Sequence, residues 1–342
     1  MRVDKEVFNH LWRTEYKHSA DATDTGSKWF HRGFKACFGL YDHEVAVVWE
    51  RLDEPDIREL YELQCWRPKY LMDALFFLRV YSTEAATAVF CGRDEKTLRK
   101  WNWRIVKAIA YQDWVSFNVG CVRGSFSSIL MTDIALCVHL QIDFSHRFLL
   151  DNGSYCLITL DGTDFRIQEP TPFDPKWYSH KFKAAGVRYE VGICIQTGQI
   201  VWVNGPYPCG EWSDLRIARD RILYELRENE WIVADGGYND AGIFFKTPTG
   251  LNNEDQRMKG KARARHECVN RRFKQWQVLQ QRFRHDVHLH GLCFHAIANL
   301  THMEMDGCGM NQIETHEGPF GLIFYKDNWA FNDMLREGNF FG

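Results

Sequence analysis

Apolar residues over the first 110 positions recur at helical intervals. Within 30–52, Phe34, Phe38, Val45, Val48 and Trp49 follow that spacing. Pro68 suits the first turn of a helix, where no amide partner is needed, and a dense apolar run from Tyr70 to Tyr81 follows it. Ser82 and Thr83 offer caps for a short helix through Phe90. Gly92 then stands where a left-handed residue would close that helix, and Asp94 is ready to cap the next, over 95–110. On this last helix Leu98, Trp101, Ile105 and Ala108 share an inward face, while Lys96, Arg99, Lys100, Arg104 and Lys107 project elsewhere.

Beyond position 150 the pattern changes. Short β-rich runs occupy 155–160, 189–196 and 200–203, a helical stretch covers 214–229, and a further strand covers 231–234. Helical patterns return over 254–283 and 288–305. Strands followed by helix–strand alternation predict an α/β fold, a mixed sheet flanked by helices. The expected organisation is a helical amino-terminal region at 1–112, an irregular linker at 113–150, an α/β domain at 151–305 and a carboxy-terminal extension at 306–342. Residues 113–141 lack periodicity and turn logic. They read either as a plain linker with a small apolar element or as a translated intron.

Composition narrows the class. The 342 residues are 45% hydrophobic and 15% aromatic, which excludes wholesale disorder and suggests well-filled cores. The net charge of -3 does not announce a polyanion partner, although a global sum can hide a local basic patch. The 11 cysteines form no C-x-x-C pair, so a zinc ribbon is not expected and reduced thiols are. The first residues, Met-Arg-Val-Asp-Lys-Glu, are too charged for a secretory signal, and no apolar run reaches membrane-spanning length. A soluble intracellular protein is expected.

Three acids then stand out. Asp161 follows Cys156-Leu-Ile-Thr-Leu, and Asp235 follows Trp231-Ile-Val-Ala, so each ends an apolar run that reads as a strand. Ligands of α/β sheets gather beyond the carboxyl ends of strands. Taken singly, each aspartate is explained as a turn residue. Asp164, three residues past Asp161, is the rival, but it would point to the opposite face of a continuing strand. Glu267 is the only acid from 257 to 285, among Arg257, Lys259, Lys261, Arg263, Arg265, Arg271, Arg272, Lys274, Arg282 and Arg284. A solvated helix usually mixes both signs to gain i,i+4 pairs, so this imbalance points to phosphates. Arg263, Arg271 and Lys274 can share the face of Glu267. Two Mg²⁺ ions (or Mn²⁺) roughly 4 Å apart can activate a nucleophile and stabilise a leaving oxygen, and hard carboxylate oxygens suit them. Crowded carboxylates in turn require a cation. His285, His288, His290, His295 and His302 follow no recurrent ligand spacing.

The short helix, glycine turn and basic second helix at 68–110 match a helix-turn-helix, with Arg99, Lys100 and Arg104 toward DNA. The plain alternative is a helical bundle with a solvated basic face.

Together, Leu-Asp161-Gly-Thr-Asp-Phe-Arg-Ile, Ala-Asp235-Gly-Gly-Tyr and Glu267-x-x-Asn270-x-Arg272-Phe273-Lys274 resemble the DDE transposase superfamily, specifically the PIF/Harbinger-type group related to bacterial IS5-like elements. The resemblance spans about 155–303. It implies an RNase H-like catalytic domain preceded by an all-α, helix-turn-helix-containing domain. It further implies Asp161, Asp235 and Glu267 as ligands of two Mg²⁺ ions, and Arg271, Arg272 and Lys274 on the DNA backbone, to which the basic face of the helix adds Arg263. The reaction would be hydrolysis of phosphodiesters at transposon ends and their transfer to target DNA. The expected partners are double-stranded DNA, other copies of the chain and a separate DNA-binding accessory protein, in the nucleus. The alternative is a domesticated, catalytically silent derivative that binds DNA or a partner.

Overall fold

The computed structural model describes residues 3–16, 28–111, 144–148, 156–195, 197–240, 243–247, 253–307, 314–317 and 323–326. Most of the expected linker, including 113–141, lies outside the described residues. Two compact units are present: Met1–Gln112 with Arg272–Leu300, and Asp113–Arg271 with Thr301–Gly342. The division differs from the linear boundary expected from sequence, because 272–300 groups with the amino-terminal helices.

The described residues of the first unit begin with the helices α1 (Lys5–Glu15), α2 (Lys28–Phe38), α3 (Asp42–Leu52), α4 (Pro55–Leu60), α5 (Pro68–Val80), α6 (Glu84–Cys91) and α7 (Glu95–Ala110). Phe34, Phe38, Val45, Val48 and Trp49 are all buried, as their spacing requires. Gly92 ends α6 at φ 62°, a left-handed conformation that glycine adopts without penalty. Asp94 caps α7 by accepting the Thr97 amide at 2.9 Å. Leu98, Trp101, Ile105 and Ala108 face inward on α7.

The second unit is α/β, a mixed six-stranded sheet flanked by helices. Its strands are β1 (Cys156–Arg166), β2 (Tyr178–Ser179), β3 (Ala184–Cys194), β4 (Ile200–Pro208), β5 (Trp231–Ala234) and β6 (Phe245–Lys246). The path runs β2-β3-β1-β5-β6, with β4 also on β3. β1 and β4 are antiparallel to β3, whereas β1, β5 and β6 run parallel. Cys156, Ile158, Leu160, Ile232, Ala234 and Trp202 belong to its core. Among the described residues its helices are α8 (Asp214–Asp220) and most of α9 (Asn253–Lys274); α10 (Gln277–Gln280) and all but the last turns of α11 (Val287–Gly307) belong to the first unit. A hairpin of β7 (Glu314–Glu317) and β8 (Ile323–Lys326) lies in the carboxy-terminal extension. Among the described residues no helix is long and apolar enough to cross a membrane.

Several expected elements have different limits; the strands expected at 189–196 and 200–203 run as β3 and β4, and for three others the contacts show why. β1 runs on to Arg166 instead of ending at Leu160, because its pairing with β3 continues from Asp161↔Val191 to Arg166↔Gly186 after its pairing with β5 has stopped at Leu160↔Ala234. The helix expected over 214–229 ends at Asp220. Beyond it the Arg147 guanidinium donates to the Glu225 carbonyl at 2.6 Å, and the Arg227 amide donates to Glu230 Oε2 at 2.9 Å. These side chains satisfy backbone groups that a longer helix would have paired. The helix expected over 254–283 stops at Lys274, where the amides of Gln275 and Trp276 bond three residues back and Trp276 turns extended, with its ring buried.

Candidate active site

Sheet register sets the residues just before the two strand aspartates opposite one another. The last pairs between β1 and β5 are Thr159↔Val233 and Leu160↔Ala234. In a parallel pair the next residues, Asp161 and Asp235, continue side by side on one face. Both are half-buried. Asp235 Oδ1 accepts the Gly237 amide at 2.8 Å, which closes the turn after β5.

Helix α9 supplies the third part. Asn270 Nδ2 donates to Asp161 Oδ2 at 3.1 Å, tying that face of α9 to β1. Glu267 lies three residues, about one turn, before Asn270, and it is exposed. The donor chemistry of the two aspartates suits a hard divalent cation. Among the described residues, however, no group of three Asp, Glu, His or Cys side chains is gathered to hold a metal ion. The register thus carries Asp161 and Asp235 to neighbouring positions beyond the last β1–β5 pair, and Asn270 ties α9, which also bears Glu267, to Asp161, but among the described residues the three acids are not drawn into one coordination group.

Asp164 has another occupation. It is buried, accepts the Ser179 hydroxyl at 3.2 Å, and takes both Nε (2.7 Å) and Nη2 (3.0 Å) of Arg188. Pleat alternation turns it away from Asp161. Arg188 also donates through Nη1 to the Trp212 carbonyl at 3.2 Å and reaches Asp214 Oδ1 at 3.3 Å. Burial works against the guanidinium charge, but Asp164 and Asp214 outweigh it and raise the Arg188 pKa.

The sequence reading missed Asp214 as a site residue. It stands at the start of α8, with its carboxylate packed against the backbone of Gly162 and Gly237. Burial raises its pKa from the ordinary aspartate value; Arg188 opposes the rise, and the charges of Asp164 and Asp235 add to it. Beneath lies Tyr238, fully buried, whose hydroxyl pKa is raised by burial and then by Glu190, Asp214, Asp161 and Asp235. The available signal was the pair of glycines, one beside Asp161 and one close after Asp235, which leave room for a neighbouring group.

Glu190, opposite Gly162 in the β1–β3 register, is completely buried and accepts the Trp202 indole N–H at 2.9 Å. Burial pushes its carboxyl from 4.5 up to about 8; Asp214 adds to the rise, while the Trp202 bond opposes it. A raised folded-state value means that the folded form holds this proton more tightly than the unfolded chain. That stability is fully present below pH 4.5 and is lost as pH rises toward about 8. The melting temperature of the wild type is expected to fall across this window more steeply than that of Glu190→Gln, which stays neutral. Parallel melting curves for the two proteins would remove Glu190 as a buried proton holder.

The expected DNA contacts are distributed unevenly. On α7, Lys100 is exposed, whereas Arg99 is paired with Glu84 and Arg104 with Glu62. Such exposed pairs are screened by solvent and hold their guanidinium groups only weakly. On α9, Arg271 and Lys274 are exposed and Arg272 is half-buried; the side chain of Arg263 lies outside the described residues. Arg265, counted in the basic run, is turned inward and donates to the Ile195 carbonyl at 2.7 Å. His290 and His295 are buried, and their pKa values are pushed down to about 3 and about 4 by desolvation, so both rings are neutral.

Comparison of the chain with protein-family models, with curated proteins and with solved structures returned no match to any of them.

Proposed function

We propose that the chain is a transposon-type DDE endonuclease, which hydrolyses and transfers DNA phosphodiesters with Mg²⁺ or Mn²⁺. The observation that carries this reading is the register match of Asp161 and Asp235 beyond the last β1–β5 pair, with α9 bonded to Asp161 through Asn270. The sheet supports an RNase H-like architecture: the antiparallel strands β4, β3 and β1 are followed by the parallel strands β5 and β6. Asp161 and Asp235 would hold the cation pair, with Glu267 closing on it when DNA engages α9. The metal, when bound, would supply an activated water and charge stabilisation at the leaving oxygen. Asn270 orients the Asp161 carboxylate. Arg271 and Lys274 lie near Glu267 in sequence on the same helix and would take the flanking phosphates.

The helices α6 and α7, with the Gly92 turn and the Asp94 cap, support a helix-turn-helix that engages double-stranded DNA through Lys100 and the ion-paired Arg99 and Arg104. This reading carries with it a nuclear setting and assembly with further copies or an accessory DNA-binding protein. A second reading, a DNA-binding derivative that no longer cuts, draws on the exposure of Glu267. The deciding experiment is nicking of supercoiled DNA in Mg²⁺ or Mn²⁺, wild type beside Asp235→Asn. Nicking that disappears in the variant supports the nuclease. Equal nicking in both sinks the assigned site, and DNA binding without nicking in either selects the silent derivative.

A further inference from the structure

We propose that Asp214 is a positioning residue for the Asp161–Asp235 pair, an inference that rests on the nuclease reading and concerns a side chain that reading leaves out. Beyond Leu160↔Ala234, β1 and β5 share no ladder, so backbone hydrogen bonds no longer fix the separation of the two aspartates. Asp214 reaches both backbones. A Cβ on Gly162, the residue after Asp161, would lie 3.0 Å from Asp214 Cγ and closer still to Oδ1. A Cβ on Gly237, two residues after Asp235, would lie 3.0 Å from Asp214 Oδ2 and 3.0 Å from Asp235 Oδ1. One carboxylate therefore lies close against both backbones that carry the site, and a side chain at either glycine would displace it.

This carboxylate is itself held. Arg188 reaches Asp214 Oδ1 at 3.3 Å while its other nitrogens grip Asp164 and its Nη1 bonds Trp212, two residues before Asp214. Pleat alternation puts Gly162 and Asp164 on the face of β1 opposite to Asp161. Asp214 therefore acts from behind the strand, through the Gly162 backbone, rather than as a ligand beside Asp161. Its negative charge also stands next to Asp235, which favours a cation there.

The test is calorimetric titration of the full-length protein with Mn²⁺ alone, comparing wild type with Asp161→Asn, Asp214→Asn and Asp214→Ser, each with a melting curve. Residues that orient metal-binding groups typically change affinity by about 10- to 100-fold. Both Asp214 variants are expected to weaken Mn²⁺ binding by that factor while melting within about 4 °C of wild type. If wild type binds no Mn²⁺, or Asp161→Asn binds as well as wild type, the metal-site reading fails and this inference falls with it. If Asp161→Asn loses binding but both Asp214 variants bind like wild type, the inference alone is overturned. Loss of the folded transition in both Asp214 variants overturns it too, because the side chain would then serve the fold generally.

Discussion

Asp161→Asn and Asp235→Asn are each expected to lower metal-dependent DNA nicking by about a thousandfold, and the double variant to fall little further. A metal centre contributes several kcal/mol of transition-state stabilisation, and about 4 kcal/mol corresponds to a thousandfold at a factor of ten per 1.36 kcal/mol. Asparagine keeps the size of each side chain but removes the charge that a hard cation requires. Non-additivity is expected because the proposed centre needs both carboxylates, so removing either would disable the whole. The Asn270 bond to Asp161 sharpens the expectation for the first variant. In Asp161→Asn the new carboxamide can still meet Asn270 amide to amide, so the fold around α9 should survive and melting should change little. Equal nicking rates, or losses that multiply in the double variant, would show that the two residues do not share one centre.

Arg188→Met is expected to cost about 3–5 kcal/mol of stability, read from the midpoint of urea unfolding. Arg188 is 19% exposed, while its partner Asp164 is only 3% exposed and makes two of its hydrogen bonds to the guanidinium. Methionine fills the volume but leaves Asp164 charged and buried, with Asp214 as a second acid nearby. Removing one member of such a pair is far more costly than replacing both, since the remaining charge has lost its partner. Adding Asp164→Asn to Arg188→Met should therefore recover part of the loss, and the recovery measures the coupling. A single variant as stable as wild type would mean that Asp164 is compensated elsewhere and that the Asp164–Arg188–Asp214 chain is not a structural support for the site.

The elements that carry the site were legible where local chemistry and period agreed. Gly92, Asp94 and the inward face of α7 announce themselves because turn conformation, capping and apolar spacing all point the same way. The apolar runs before Asp161 and Asp235 likewise mark two strands buried on both faces. The adjacency of those aspartates depends on parallel register, which arises from strand pairing over a separation in sequence that no local pattern encodes. The same holds for Asp164. Its parity relative to Asp161 could be read from the sequence, but its ion pair with Arg188 comes from β3 lying opposite. Asp214 was hidden for a further reason: a serine followed by an acid at a helix start is ordinary capping chemistry. Only the contacts with Gly162 and Gly237 distinguish it. Arg265 shows the opposite error, since counting bases along a helix ignores that one face of that helix is buried.

The central claim is that Asp161 and Asp235 form one metal-binding centre that Glu267 joins. Anomalous diffraction from crystals of the protein soaked in Mn²⁺ tests it most directly. The predicted result is an anomalous peak roughly 2.1 Å from carboxylate oxygens of both Asp161 and Asp235, with Glu267 turned toward it. A peak located elsewhere, or no peak at the two aspartates in saturating Mn²⁺, would contradict it.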